Sequence, residues 1–453
     1  MTELRCETLR IPATDVGPEN PLPDFRSPSA DREVRVDPRV PEEDRRYLGW
    51  RSGYRVLPHR LQDKHGAELR DTEFTALVLE NERLRATVLP AMGGRLTSLY
   101  DKAAGRELLE NNPIIRIGNL ALRRAWFSGG VEWNSGQPGH HYLTCSPVFA
   151  ARIKGSRGEP ALRIYEWDRT KRYPWQVDLH LPPGSDFLYA RVRLLNPHAD
   201  EIPMYWWTNI AVPETENTRV LAPAGQAIRF DLKLGFTFVD FENPEDVDHS
   251  YAVRIAGSKD IFFRVPPGQW PWIAALDGGG RGLFQTSTPR LRGRKLFVWG
   301  NHQGGRRWQE FLGGPGSAYV EIQAGLTRTQ TETTPMPGGA EWTWTEVFGL
   351  LEADPSAVHT EHWNDAWRAA EEALRGTIPP ERIDEVDRQL AGATAEPPQE
   401  LLFSGSGWGA LERRRLAVRG EADPLPGELV FPPESMGAEQ QPWLTLLEDG
   451  ALP

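Results

Sequence analysis

The residues best suited to chemistry gather in the stretch 126–147, WFSGGVEWNSGQPGHHYLTCSP. It holds a carboxylate (Glu132), two adjacent histidines (His140 and His141), two tryptophans and several glycines. It reads as a Gly/Pro-shaped loop that sets proton-transfer groups beside aromatic surfaces, as a sugar site requires. If Glu132 is buried among tryptophans its pKa rises, the state a general acid needs at neutral pH. The alternative is a structural glutamate bonded to its own loop. In an extended segment His140 and His141 point to opposite faces, so one of them faces a cleft and the other anchors the loop. No metal site is expected from this pair.

Further candidates lie downstream. In YVEIQAG, Glu321 and Gln323 are two apart on a predicted strand and share a face. A carboxylate beside an amide can read paired sugar hydroxyls. In WTWTEVF, Glu346 alternates with Trp342 and Trp344, as a third acid or as a polar residue of an edge strand. Arg123 and Arg124 bind a sugar hydroxyl or serve as salt-bridge partners. The 17 tryptophans exceed ordinary usage. Most are expected in the core, with stacking platforms sought among Trp126, Trp133, Trp206, Trp207 and Trp299.

The elements that must position these groups are strands. TEFTALVLEN and ERLRATVLP alternate with period two. GGRLTSLYDKAAGRELL follows as strand, turn at 102–105, strand, and Gly93 and Gly94 mark a tight turn or bulge. From 113 to 350 short β-type runs recur with Pro, Gly or Asp turns about every ten residues, uninterrupted by a helix. About twenty strands point to two large stacked sheets. Residues 1–47 read as an extended, Pro-rich arm with one or two strands, and 48–353 as the sheet domain. After Asp354, HTEHWNDAWRAAEEALRG, PPERIDEVDRQLAGA and GSGWGALERRRLAVRGE read as helices of a segment 354–453 that caps the sheets. That segment is also the place for a protein partner or a second copy.

Composition narrows the class. A net charge of −11 without a basic stripe argues against nucleic acid and against an anionic membrane surface. Two cysteines, Cys6 and Cys145, exclude a disulfide framework. No signal-peptide pattern opens the chain, so the expected location is cytoplasmic. There is no GxSxG elbow, P-loop, HExxH or GxGxxG after a strand, and no cofactor is expected.

The run ENERLRATVLPAMGGRLTSLYDKAAGRELL resembles the opening hairpins of the galactose mutarotase-like (aldose epimerase) superfamily. Within it, residues 70 to 352 resemble the domain of unknown function 5107 family. The matching pieces are FSGGVEWN, the PGHH loop, MYWWTNIAVP, KLFVWGN, YVEIQAGLTRTQ and WTEVFGL. The resemblance implies an antiparallel β-supersandwich with a sugar cleft across one sheet and helices downstream. Mutarotases use a glutamate that takes the anomeric proton and a histidine that protonates the ring oxygen. The resemblance carries the base to Glu321. The histidine motif's counterpart, MYWWTNIAV, has no histidine, and Trp207 falls near its place. His140 or His141 matches a second, sugar-binding histidine, and Arg123 or Arg124 an arginine near the cleft.

The leading expectation is therefore a glycoside hydrolase-like enzyme on a mono- or oligosaccharide. Two of Glu132, Glu321 and Glu346 would act as acid and base or nucleophile, with their separation setting the stereochemical outcome. The first alternative is aldose anomer or epimer interconversion, with Glu321 as base and His140 or His141 as acid. The second is a non-catalytic sugar-binding or scaffold protein.

Overall fold

The computed structural model describes residues 1–451 apart from 23, 25–29, 54–55, 232–233 and 245–246. Its frame is two antiparallel sheets of twelve and nine strands, with a separate two-stranded ribbon. The two sheets stack as a sandwich. Alternate residues of the central strands, such as Val131, Trp133, Ile210 and Ile322 from one sheet and Ile164, Val177, Val192 and Phe348 from the other, fill one continuous core. Period-two alternation sends those side chains inward and frees the intervening positions for the outer face. Trp133, Trp206, Trp175 and Trp344 are fully buried in this core, so most of the tryptophan excess is packing.

The middle of the twelve-stranded sheet runs Arg95–Asp101, Val131–Ser135, Trp206–Pro213, Tyr319–Gly325, Gly293–Val298, Lys259–Phe263 in spatial order. Val131–Ser135 corrects the loop reading of its neighbourhood. The alternation of Val131 and Trp133 with Glu132 and Asn134 makes a strand, hydrogen-bonded on both sides. The glycines flank it. At Gly130 φ is 68° and a Cβ would lie 2.3 Å from the Leu96 carbonyl oxygen, so only glycine admits this close approach.

The N-terminal stretch joins the sandwich. Glu3–Ala13 pairs along its whole length with Arg70–Glu80 at the sheet edge. Residues 34–50 cross the outer face, where Val40 packs with Trp207, Phe236 and Phe262. The helix Gln303–Gly313, between the last strands of the site sheet, was not expected from the sequence. Its three glycines and missing side-chain cap conceal it from propensity rules.

The expected helices are present as Trp363–Thr377, Pro380–Thr394 and Trp408–Arg419, followed by Gln441–Asp449. The first two bury Trp363, Ala366, Ala370, Leu374, Ile383, Val386 and Leu390 in the main core. The buried Arg163 pairs with Asp178 and also donates to the carbonyls of Ala393 and Thr394 in the last turn of the second helix. Glu400–Phe403 then adds a strand beside Phe149–Lys154, so the tail is built into the nine-stranded sheet. Among the described residues, no helix is long and apolar enough to cross a membrane.

Candidate active site

Strand register lines up the outer-face groups. Glu132 pairs with Asn209, Asn209 with Gln323, and Gln323 with Lys295, giving one row across four strands. In the next row Glu321 pairs with Phe297, and Phe297 with Asp260. Above these rows opens a cavity of about 250 Å³, lined by Trp126, His140, Asn209, Asp260, Lys295, Phe297, Trp299, Glu321, Gln323 and Gln330, with Leu120, Ala121 and Gly139 at its rim. Ala121 and Arg124 hold φ of 68° and 64°, local backbone strain in the loop that walls the cavity. Trp299 is backed by Trp308 of the unexpected helix, their rings 5.8 Å apart and nearly parallel.

The side chains are tightly held. His140 Nδ1 lies 2.7 Å from Glu132 Oε2, and the Trp126 indole N–H donates to the same oxygen at 3.1 Å. Arg95 Nη2 stands 3.6 Å from the other oxygen. Arg95 is itself fixed by donating to the Gly129 carbonyl and the Thr144 hydroxyl, and by lying over the Phe127 ring. Glu132 is 4% exposed, whereas the His140 side chain is 29% exposed and reaches the cavity. Glu321 Oε2 accepts from Gln323 Nε2 at 2.7 Å.

Electrostatics divide the roles. Burial opposes ionisation of Glu132, but the charges of His140 and Arg95 and the His140 hydrogen bond outweigh it and hold the carboxyl well below the usual range. Burial favours neutral His140, yet Glu132, with a smaller contribution from Glu321, lifts its pKa above the ordinary imidazole value. Burial lifts Glu321, reinforced by the Glu132 charge and opposed by His140, Lys295 and Gln323. The arrangement can therefore hold a cationic imidazole and a basic carboxylate in one small cavity. Among the described residues, no group of three or more His, Cys, Asp or Glu side chains is arranged to hold a metal ion.

Of the sequence-predicted residues, Glu321, Gln323, His140, Trp126 and Trp299 meet at this cavity. The others are corrected. Glu346 is buried between the sheets, accepting from Thr208, Trp344 and Gln285, because its strand turns that face inward. Burial holds its carboxyl at about 7, against the opposing pull of those hydrogen bonds and of Arg294. Glu132 lies behind His140 and does not line the cavity; its pKa falls where a general acid needs a rise. His141 is buried edge-on against Trp175, and its backbone N–H donates to Asn134. Arg123 is a buried brace donating to the carbonyls of Arg60 and Tyr142 and paired with Glu19. Arg124 lies 3.8 Å from Asp63. Trp133 donates to the Gly94 carbonyl inside the core, where Trp206 also lies. Trp207 is fully buried under the N-terminal stretch, its indole lying across Gly325 and Gly293.

Sequence reasoning missed Asn209, Asp260, Lys295, Gln330 and Arg95. Alternation along KLFVWGN puts Lys295 on the face of Phe297, a usable signal. Nothing local marks Asp260 or Gln330.

The family model described as a domain of unknown function (DUF5107) matches residues 55–337, more than half of the chain. A solved TPR-domain containing protein from Parabacteroides distasonis is 20% identical, with a TM-score of 0.63 over 77% of this chain. The match covers 55% of that longer chain. A galactose mutarotase-like protein from Clostridium acetobutylicum is 10% identical, with a TM-score of 0.42, covering 62% of this chain and 96% of that one. A galactose mutarotase-like protein from Lactobacillus casei is 9% identical, with a TM-score of 0.41 and coverage of 61% and 99%.

Proposed function

The chain belongs to the DUF5107 family, and on that premise we propose that it interconverts the anomers of a small neutral aldose, with Glu321 as base and His140 as acid. The observation that carries this reading is that His140, backed by Glu132, shares one cavity with Glu321. Glu321 removes the proton of the C1 hydroxyl while His140 Nε2 protonates the ring oxygen, and the bond between C1 and that oxygen breaks. Rotation about C1–C2 and return of both protons closes the other anomer. Proton transfer by positioned groups of this kind contributes about 10²–10⁴-fold each.

The cavity supports a monosaccharide. It is smaller than the roughly 300–1,000 Å³ of drug-sized sites. Trp126, Phe297 and Trp299 offer apolar walls for C–H faces, and Asn209, Gln323 and Gln330 offer amides for hydroxyls. A neutral sugar is favoured because the cations already have partners: Lys295 pairs with Asp260 at 2.7 Å and His140 with Glu132. A phosphate or carboxylate substituent would add a third anion beside Asp260 and Glu321.

Two-carboxylate hydrolysis has less support. It needs an acid and a second carboxylate flanking one bond; of the three predicted glutamates only Glu321 reaches the cavity, and the cavity's other carboxylate, Asp260, is already paired with Lys295 at 2.7 Å. Polarimetry of freshly dissolved aldoses tests the proposal. The chain is expected to speed equilibration of a neutral aldose, and Glu321→Gln to bind that sugar without speeding it. No acceleration across a panel of neutral aldoses, or release of sugar from aryl glycosides instead, defeats it.

A further inference from the structure

One set of hydrogen bonds in the cavity has a direction. Lys295 Nζ donates to Gln330 Oε1 at 2.5 Å, Gln330 Nε2 to Gln323 Oε1 at 2.6 Å, and Gln323 Nε2 to Glu321 Oε2 at 2.7 Å. We propose that Lys295 and Gln330 are positioning residues for Glu321, setting the polarity of a relay that ends in an N–H aimed at its carboxylate. The proposal rests on Glu321 being the working base.

The direction follows from the ends. Amide oxygen and nitrogen are distinguished by their network rather than by shape. An ammonium can only donate, and an ionised carboxylate can only accept. Lys295 is held in place by Asp260 at 2.7 Å. The ammonium therefore demands the Gln330 oxygen, which turns the Gln330 nitrogen to Gln323. Gln323 must answer with its oxygen, which turns its nitrogen to Glu321. The reverse order would set N–H against ammonium and oxygen against carboxylate. Each bond polarises the next, and the charged end strengthens the series.

The scaffold fixes the one member outside the strands. Gln330 rides a loop braced by Thr329, whose N–H and hydroxyl both donate to Glu332. The N-terminal stretch ties that loop down: Gly49 N–H donates to the Thr331 carbonyl, Thr333 Oγ1 to the Trp50 carbonyl, and Asp44 pairs with Arg328. The charged groups acting on Glu321 are His140 from the loop after Val131–Ser135, Glu132 from that strand, and Lys295 from the neighbouring strand.

Gln330→Glu tests the relay with almost no change of shape. It keeps an acceptor for Lys295 but places a second carboxylate oxygen against Gln323 Oε1. Gln323 then keeps that clash or turns its oxygen to Glu321. The readout is the protonation of Glu321, followed as its carboxyl infrared band by difference against Glu321→Gln. No sugar is needed. The expected result is an upward displacement of about one pH unit, a tenfold change in proton affinity. Lys295→Arg, which preserves the donor, is expected to keep the original titration. Gln330→Glu also adds an anion that raises Glu321 by charge alone, so the deciding variant is the uncharged Gln330→Ala, which frees the Gln323 amide and is expected to displace the titration in the same direction. A titration unchanged in Gln330→Ala overturns the relay. A displaced titration in a chain that accelerates no aldose sustains the relay and removes only the anomer-interconverting reading.

Discussion

Nδ1 of His140 lies 2.7 Å from Oε2 of Glu132, beneath the cavity that Glu321 lines from the next strand but one. The contact makes one buried carboxylate the counter-ion of a histidine rather than a reactant. It assigns the outer nitrogen of that ring to the cavity and raises its hold on a proton.

The pH profile of anomer interconversion should therefore be a bell displaced to the alkaline side. The base works only when ionised, and Glu321 is raised, so the acidic limb lies above the roughly 4.3 of an ordinary glutamate. The acid works only when protonated, and His140 is raised, so the alkaline limb lies above about 6.5. Initial rates by polarimetry from pH 4 to 10 check this. An alkaline limb at or below 6.5 contradicts the assignment of His140 as the acid.

Glu132→Gln keeps the size of the side chain and removes the charge. Burial and the Arg95 charge then act on His140 unopposed by Glu132, both favouring the neutral ring. The alkaline limb should move to lower pH, and kcat at pH 7.5 should fall about 10²-fold. KM should hold, because Glu132 does not line the cavity. Steady-state kinetics with proton NMR of the His140 ring reads both effects.

Glu346→Gln should leave sugar turnover intact and change stability instead. The buried carboxyl keeps its proton in the folded state up to about 7, while the unfolded chain releases it near 4.3. The folded state thus binds more protons across that window, and the contribution of this group falls as pH rises from 4.3 to 7. The loss is on the order of 3 kcal/mol. The wild-type chain should lose more stability than Glu346→Gln between pH 5 and 8 in urea unfolding. Parallel curves would show that Glu346 ionises freely in the fold.

Gly325→Ala tests the floor of the site. A Cβ there would stand 2.2 Å from Trp207 Cε2, and Trp207 is held between the sheet and the N-terminal stretch. Overpacking of this kind costs about 1–3 kcal/mol. The lowered denaturation midpoint should come with weaker sugar binding, since Trp207 donates to Thr327 in the loop that carries Gln330.

Much of the architecture is legible in single stretches. Period-two alternation marks the strands, the turns at Gly93–Gly94 and 102–105 fall where expected, and the apolar spacing of Trp363, Ala366, Ala370 and Leu374 marks the first long helix. Composition misleads where it is richest. The glycines around Val131–Ser135 disguise a strand as a loop, and those of Gln303–Gly313 disguise a helix.

The pairing of Glu321 with Gln323 on one face belongs to the sequence alone, because a strand's period is local and needs no partner. Which glutamate meets which histidine does not. Glu321 and Glu346 both alternate with their neighbours along predicted strands, and only the stacking of the two sheets sends one to a cavity and the other to the core. Asn209, Lys295 and Asp260 come beside them because strands distant in sequence are neighbours in the sheet, in a register set by turns and by the buried face. The side chains that could do chemistry are written in order along the chain, but their meeting is a long-range packing decision.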